Sequence, residues 1–402
     1  MNIPKDVCDI INTIEKNGFE AFVVGGCVRD YILSDSAKDW DITTDALPLQ
    51  IKDIFEHTVD TGIKHGTITV VYKKQNFEIT TYRIDGEYND NRHPENVIFT
   101  TKIEEDLSRR DFTMNAIAYN EKKGYVDPFF GMEDIKRKLI KGVGDADKRF
   151  KEDALRMMRG VRFASQLGFE IEEKTFKAIK DNRELIKNIS VERIREEILK
   201  LIKSEYIEKI YLLKETGLLS YILPEIEPIF KDLNKNIAIL KFLEKDLRLA
   251  FLLSHLKEED GISILKRLKF DNKTINEIKI ILRNFNNNFL DNRIETRKNM
   301  SSIEPDIFKK IIMIKFAINR IENNLIECKK LDNVYDEIDE TVAKKHCYSL
   351  KDLAIKGDDL KNIGITNGKD IGKFLKIALN IVLEEPKKNN KEILLKILCE
   401  KI

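Results

Sequence analysis

The sequence predicts an α+β head followed by an all-helical remainder. Three observations lead there. Short runs rich in Val, Ile, Thr and Tyr, jointed by Gly and Asp, are confined to the region before residue 140. After residue 145, apolar residues recur at i, i+3, i+4 and i+7 almost throughout. Charge divides at the same place. Residues 1–140 carry 18 Lys and Arg against 25 Asp and Glu, a net −7, and residues 141–402 carry +8, although the whole chain is only +1. An acidic head on a basic remainder suits a metal site joined to a surface that binds a polyanion.

The elements follow in order. Lys5–Lys16 has helical spacing, and Ala21–Val24 is an apolar strand. Helical patterns at Val28–Leu33 and Leu49–Phe55 alternate with strands at Ile68–Tyr72, Phe77–Thr81 and Ala116–Tyr119. The helical remainder is predicted over Asp153–Leu167, Val191–Ile202, Ile237–Leu256, Asn272–Phe285, Pro305–Ile321 and Ile371–Leu383. Ser190 is placed as the N-cap of the second of these. Arg193 holds the position where a capping box needs Glu or Gln, so the box is incomplete. The acidic stretch Leu331–Glu340 marks a joint before the last helical piece.

Composition narrows the class. A chain of 402 residues suits two to four modules. Charged residues make up 35%, above the roughly 25% of an average soluble domain, and hydrophobics at 42% still allow a packed core. No apolar run approaches the ~20 residues of a membrane span, and no basic-then-apolar leader opens the chain. No membrane partner and a cytoplasmic location are therefore expected. The cysteines, Cys8, Cys27, Cys328, Cys347 and Cys399, form no C-x-x-C pair, so buried or unreactive thiols are expected rather than a disulfide framework or a zinc site.

Three motifs carry chemistry. In the first, Val24-Gly25-Gly26-Cys27-Val28-Arg29-Asp30, a strand runs into two glycines and then a helix. Gly25 and Gly26 let backbone approach a ligand, the helix N-terminus presents N–H groups to phosphate, and Arg29 faces the anion one turn in. A purely structural turn is the competing reading. The second is Lys38-Asp39-Trp40-Asp41-Ile42. Two residues apart on a strand, Asp39 and Asp41 share a face, roughly 7 Å apart. Carboxylates so placed can hold two divalent cations about 3.5–4 Å apart, the arrangement for nucleotidyl transfer. Asp-x-Asp alone is a common surface turn. After Gly-Gly-x-x-Arg-Asp at this spacing it is far more specific. Glu78 is the candidate third carboxylate from a neighbouring strand, and an outward-facing strand residue is its other reading.

The third signal pairs Arg109-Arg110-Asp111-Phe112-Thr113-Met114-Asn115-Ala116 with Glu152-Asp153-Ala154-Leu155-Arg156-Met157-Met158-Arg159. Arg110 is a candidate phosphate ligand and Asn115 a candidate for a ribose hydroxyl. On one helix, Asp153, Arg156, Arg159 and Arg162 form a stripe at i+3. A salt-bridged solvent face is the ordinary reading, but three arginines against one acid leave the stripe unbalanced.

Together these motifs resemble the class II tRNA nucleotidyltransferases, a family of CCA-adding enzymes and bacterial poly(A) polymerases within the DNA polymerase beta superfamily. The resemblance is strong over the first 200 residues. It continues weakly through Gly357-Asp358-Asp359-Leu360 and Gly364-Ile365-Thr366-Asn367-Gly368. It implies a nucleotidyltransferase-fold head with a small mixed sheet (1–140), a neck (141–205), a helical body (206–330) and a tRNA-binding tail (331–402) in a seahorse-like outline. It implies Asp39 and Asp41 as ligands of two Mg²⁺ ions, and CTP and ATP as substrates. Gly25, Gly26, Arg29, Arg110, Asp111, Asn115, Arg159 and Arg162 would surround the nucleotide, and the tRNA acceptor arm would be the partner. Asp153 and Arg156 would read the incoming base.

Hydrogen-bond chemistry agrees with that last role. Cytosine and adenine each present an amino donor beside a ring acceptor. A carboxylate that accepts and a guanidinium that donates suit both. Uracil and guanine reverse the order, and each mismatched group costs roughly 1–3 kcal/mol. The segment with Arg83, Asp85, Asp90 and Arg92 resembles the family's flexible loop, which CC-adding members lack. Full CCA addition is the first expectation, followed by A-only or poly(A) addition. A non-catalytic RNA-binding protein is the reading from another class. Leu247–Leu256 has no His-Asp pair, so no HD phosphohydrolase activity is expected and His255 reads as a packing residue.

Overall fold

The computed structural model describes residues 1–34, 36–37, 39–86 and 97–400. The chain forms two compact units, Met1–Pro224 and Glu225–Ile402.

The first unit opens with helix α1 (Lys5–Lys16), whose Val7, Ile10, Ile11 and Ile14 form the buried stripe that its spacing predicts. Gly18, at φ +88°, turns the chain into strand β1 (Ala21–Val24), buried at all four positions. Helix α2 (Gly26–Ser34) follows, then β2 (Ile42–Thr44), α3 (Pro48–Ile54), β3 (Thr58–Gly62), β4 (Thr67–Tyr72) and β5 (Gln75–Thr81). A ribbon of β6 (Arg83–Asp85) and β7 (Val97–Phe99) comes next, then α4 (Ile103–Ser108), β8 (Ala118–Asn120), β9 (Gly124–Val126) and α5 (Gly131–Lys136). The main sheet has the order β3-β4-β5-β2-β1-β8-β9. It is mixed: β2 and β5 run parallel, and the other pairs are antiparallel. Ile42 pairs with Ile79, and both are buried. Asp41 precedes β2, but its carbonyl accepts the Val24 N–H at 3.0 Å, so the ladder reaches it.

Phe22, Val24, Tyr82, Leu107, Ala116, Ala118 and Val143 form one core of this unit. Tyr82 is wholly buried, and its hydroxyl has no hydrogen-bond partner among the described residues. An unpaired buried hydroxyl costs about 1–3 kcal/mol, so Tyr82→Phe is expected to stabilise the protein by about 1 kcal/mol. The urea midpoint measures this, and a clear fall would mean that the hydroxyl is paired.

Helices α6 (Ala146–Glu152), α7 (Leu155–Leu167), α8 (Glu173–Asn182) and α9 (Val191–Ile202) follow. The helix expected over Asp153–Leu167 is present but starts two residues late, at Leu155, so Asp153 lies off it. Asp153 ends α6 in an extended conformation (φ −135°, ψ 101°), and its Oδ1 accepts the Leu155 N–H at 3.1 Å. Asp favours such local bonds over helix interiors, and here that preference keeps Asp153 out of α7. Ser190 precedes α9 as expected, but its side chain makes no capping bond.

Among its described residues the second unit is helical, without strands. Asn272–Phe285 and Pro305–Ile321 match the predicted spans, and Ile371–Leu383 lies within Gly368–Glu384. Ile237–Leu256 does not form one helix. Leu233–Phe242 stops at the extended Leu243, and Arg248–Leu253 begins anew. The buried Arg248 donates Nε–H to the Leu240 carbonyl at 2.8 Å, satisfying a group freed by the break. Leu331–Glu340, expected as a joint, lies inside the helix Leu325–Ala343, which buries Leu331, Val334 and Ile338. His255 packs edge-on against Phe251, with ring centroids 5.2 Å apart. Cys27, Cys328 and Cys347 are buried, Cys8 is half-buried and Cys399 is exposed. No helix among the described residues is long and apolar enough to cross a membrane.

Candidate active site

Two cavities in the first unit meet at Asp41, which lines both. The first, about 460 Å³, is lined by all ten residues expected around a nucleotide: Gly25, Gly26, Arg29, Arg110, Asp111, Asn115, Asp153, Arg156, Arg159 and Arg162. Arg109, Leu155, Phe163 and Arg193 complete its wall. The second, about 870 Å³, is lined by Asp39, Trp40 and Glu78 together with Val59, Thr61 and Phe77.

The sheet brings the acidic residues together. Continuing the β2–β5 register by one residue sets Asp41 opposite Glu78, which is solvent-exposed. Asp39 lies outside the strand in the preceding bend, so the same-face geometry expected for Asp39 and Asp41 does not come from β pairing. Desolvation raises the Asp41 pKa. Arg110 pulls it down, and the charges of Glu78 and Asp39 push it up.

Gly25 sits at φ +81°, and a Cβ there would lie 2.8 Å from Arg110 Nη1. The absence of a side chain thus gives Arg110 its place. Arg110 shares Asp106 with Arg109, at 3.3 and 2.8 Å respectively. Asp106 is fully buried, which alone would raise its pKa, but the two arginines lower it below the ordinary range. The buried Arg110 Nε–H has no partner among the described residues.

Arg29 is paired on both sides. It donates Nε–H and Nη2–H to Asp30 (2.8 and 2.7 Å) and Nη1–H to Asn115 Oδ1 (2.7 Å). Asn115 donates in turn to Asp111 Oδ1 at 3.0 Å. Much of its bonding capacity, expected for a ribose, thus goes to orienting Arg29.

The arginine stripe is balanced after all, by one acid four residues away, Glu152, and by two that local spacing does not reveal. Arg156 pairs with Glu152 at 2.8 Å, Arg159 with Asp111 at 2.6 Å and Arg162 with Glu197 at 2.8 Å. Burial alone would raise Asp111, but Arg159 and Asn115 overcome it and hold the carboxyl well below its usual range. Asp153 pairs with Arg193 of α9, Nη2 to Oδ2 at 2.8 Å and Nη1 to Oδ1 at 3.3 Å. Phe163 gathers three guanidiniums: Arg162 at 3.6 Å, Arg29 at 5.0 Å and Arg159 at 5.3 Å from its ring centroid. Phe163 and Arg193 were missed as site residues. Phe163 reads in sequence as core, and Arg193 drew notice only as an odd residue at a capping position. Of the expected loop residues, Arg83 and Asp85 lie on β6 and pair at 3.1 Å, while Asp90 and Arg92 lie outside the described residues.

Known proteins match this architecture. A poly(A) polymerase head domain model matches residues 21–141. A probable RNA- and SrmB-binding site of polymerase A matches 168–230, and a putative tRNA nucleotidyltransferase domain 2 matches 240–398. The CCA-adding enzyme of Geobacillus kaustophilus (strain HTA426) is 45% identical over 277 residues, 68% of each chain. The chain belongs to the CCA-adding enzyme family. The CCA-adding enzyme of Lactobacillus helveticus (strain DPC 4571) is 55% identical over 192 residues, so the match spans about half the length of each chain, 48%. The crystal structure of the Bacillus stearothermophilus CCA-adding enzyme in complex with CTP superimposes with a TM-score of 0.83 at 32% identity, covering 100% of this chain and 99% of that one. In this CCA-adding family member, the acidic residues and the arginine-lined cavity both fall within Met1–Pro224.

Proposed function

We propose that the protein adds C, C and A in turn to the 3′ end of tRNA, using CTP and ATP and no nucleic-acid template. One observation carries the reading: Asp41 borders both the arginine-lined cavity and its larger neighbour. The first suits a nucleoside triphosphate, and the second gives a primer end access to the same carboxylate. Residues 1–140 are assigned to the catalytic head, 141–205 to the neck, and 206–330 and 331–402 to a body and tail that hold tRNA through phosphates and shape.

Asp39 and Asp41 are the proposed Mg²⁺ ligands, with Glu78 as third carboxylate. Among the described residues no three metal-ligating side chains converge on one point. Two carboxylates nevertheless fit Mg²⁺, which commonly completes its oxygen shell with substrate phosphates and water. When bound, the two ions supply activation of the 3′ hydroxyl and neutralisation of the departing pyrophosphate. Arg110, which lines the arginine-rich cavity, is the first candidate to bind the triphosphate, beside the Gly25 turn and Arg29. Asp153 accepts from the base amino group. Arg156 uses three N–H groups on Glu152, the Arg149 carbonyl and the Arg109 carbonyl, which leaves two to donate to a base.

tRNA transcripts lacking CCA, incubated with Mg²⁺, CTP and ATP, test the reading. Growth by three nucleotides is the expected result; adenine-only growth or no growth overturns it. Arg156→Ala is expected to relax base choice about tenfold with tRNA affinity unchanged. Unaltered choice among the four triphosphates would remove the base-reading assignment.

A further inference from the structure

We infer that Arg193 is a positioning residue for base selection, because it fixes how the Asp153 carboxylate meets the base. The inference rests on the reading of Asp153 as a base acceptor.

Three observations support it. First, Asp153 sits between two helices, so no helix holds its side chain. Its orientation comes from the Leu155 N–H and from the two-pronged contact of Arg193. A carboxylate offers about four acceptor positions, and these bonds take three. One position on Oδ2 remains, enough for one amino hydrogen of cytosine or adenine.

Second, Arg193 occupies a locally unfavourable place. It stands in the first turn of α9, where the helix dipole favours acids and a capping box would place Glu or Gln. The Ser190 side chain makes no cap bond there. A local rule broken at a cavity wall points to a function of the residue that breaks it.

Third, Arg193 adds another guanidinium to a cavity already lined by Arg29, Arg109, Arg110, Arg156, Arg159 and Arg162. The gain that offsets this crowding is the Asp153 pair, in which the two side chains are 16% and 29% exposed. A planar fork holds both carboxylate oxygens in one plane; an ammonium holds a charge but no plane. With the plane released, Asp153 can swing away from a mismatched oxygen, and uracil or guanine loses its penalty.

The test uses the full chain with tRNA lacking its terminal A or CA. kcat/KM is measured for CTP, ATP, UTP and GTP in the wild type, Arg193→Lys, Arg193→Gln and Asp153→Asn. Arg193→Lys is expected to lower the preference for CTP over UTP about tenfold, and Arg193→Gln to lower it further, with tRNA affinity unchanged. If both variants lose activity equally for all four nucleotides, Arg193 is only structural and the inference fails. Should Arg193→Gln not fold, Arg193→Lys alone decides. Asp153→Asn separates the two claims. If it leaves base choice unchanged, the reading of Asp153 is wrong. If it alters choice while Arg193→Lys does not, only the role of Arg193 is wrong.

Discussion

Asp41→Asn is expected to lower kcat for nucleotide addition by roughly three orders of magnitude, the scale of losing one charge-stabilising group at a reacting centre. tRNA binding should stay within a few-fold of the wild type. The same substitution should leave the protein as stable as before, or more so. A carboxyl whose pKa is raised in the folded state opposes folding above its unfolded pKa, and Asp41 is raised by desolvation and by Glu78 and Asp39. Asn removes that opposition at neutral pH while keeping the shape. Single-turnover addition and thermal unfolding provide the two measurements. Turnover near the wild-type rate would remove Asp41 from the chemistry. Activity lost together with stability would show a structural role.

Gly25→Ala is expected to raise the KM for CTP and ATP at least tenfold and to lower kcat as well. The residue needs φ +81°, which costs a non-glycine residue about 1 kcal/mol. Its new Cβ would also stand 2.8 Å from Arg110 Nη1 and displace that guanidinium. Gly18 separates the two effects, because at φ +88° a Cβ added to it would meet nothing within 4 Å. Gly18→Ala should therefore lose stability and keep its KM. Equal kinetic behaviour of the two variants would refute the steric account.

The parts of this architecture that depend on neighbours in sequence were legible. The buried stripe of α1 and the strand into Gly25 stand in short runs whose spacing states their geometry, whereas Asp39 falls in a bend that the alternation of a strand does not describe. The parts that depend on distant partners were not. Nothing within ten residues of Arg162 announces Glu197, and nothing near Asp153 announces Arg193, 40 residues away. Hence the stripe looked unbalanced. The exclusion of Asp153 from α7 was hidden because Asp153, Arg156 and Arg159 keep helical spacing. The interruption after Phe242 was hidden in the same way, since no Gly or Pro marks it and a buried arginine from beyond the break satisfies the freed carbonyl.

The pairing of β1, β2 and β5 has a practical consequence for refolding. Asp41 is tied to Val24 of one neighbour and lies level with Glu78 of the other. A slip of β2 by a single residue would turn Asp41 to the opposite side of the sheet and set Ile42 on the buried face that Thr43 occupies. Intermediate arrangements are excluded, because side chains alternate faces without a halfway state. A partly misfolded batch would thus be a mixture of fully competent and fully inert molecules. Its turnover per milligram would fall in proportion to the inert share, while its KM stayed that of the intact enzyme.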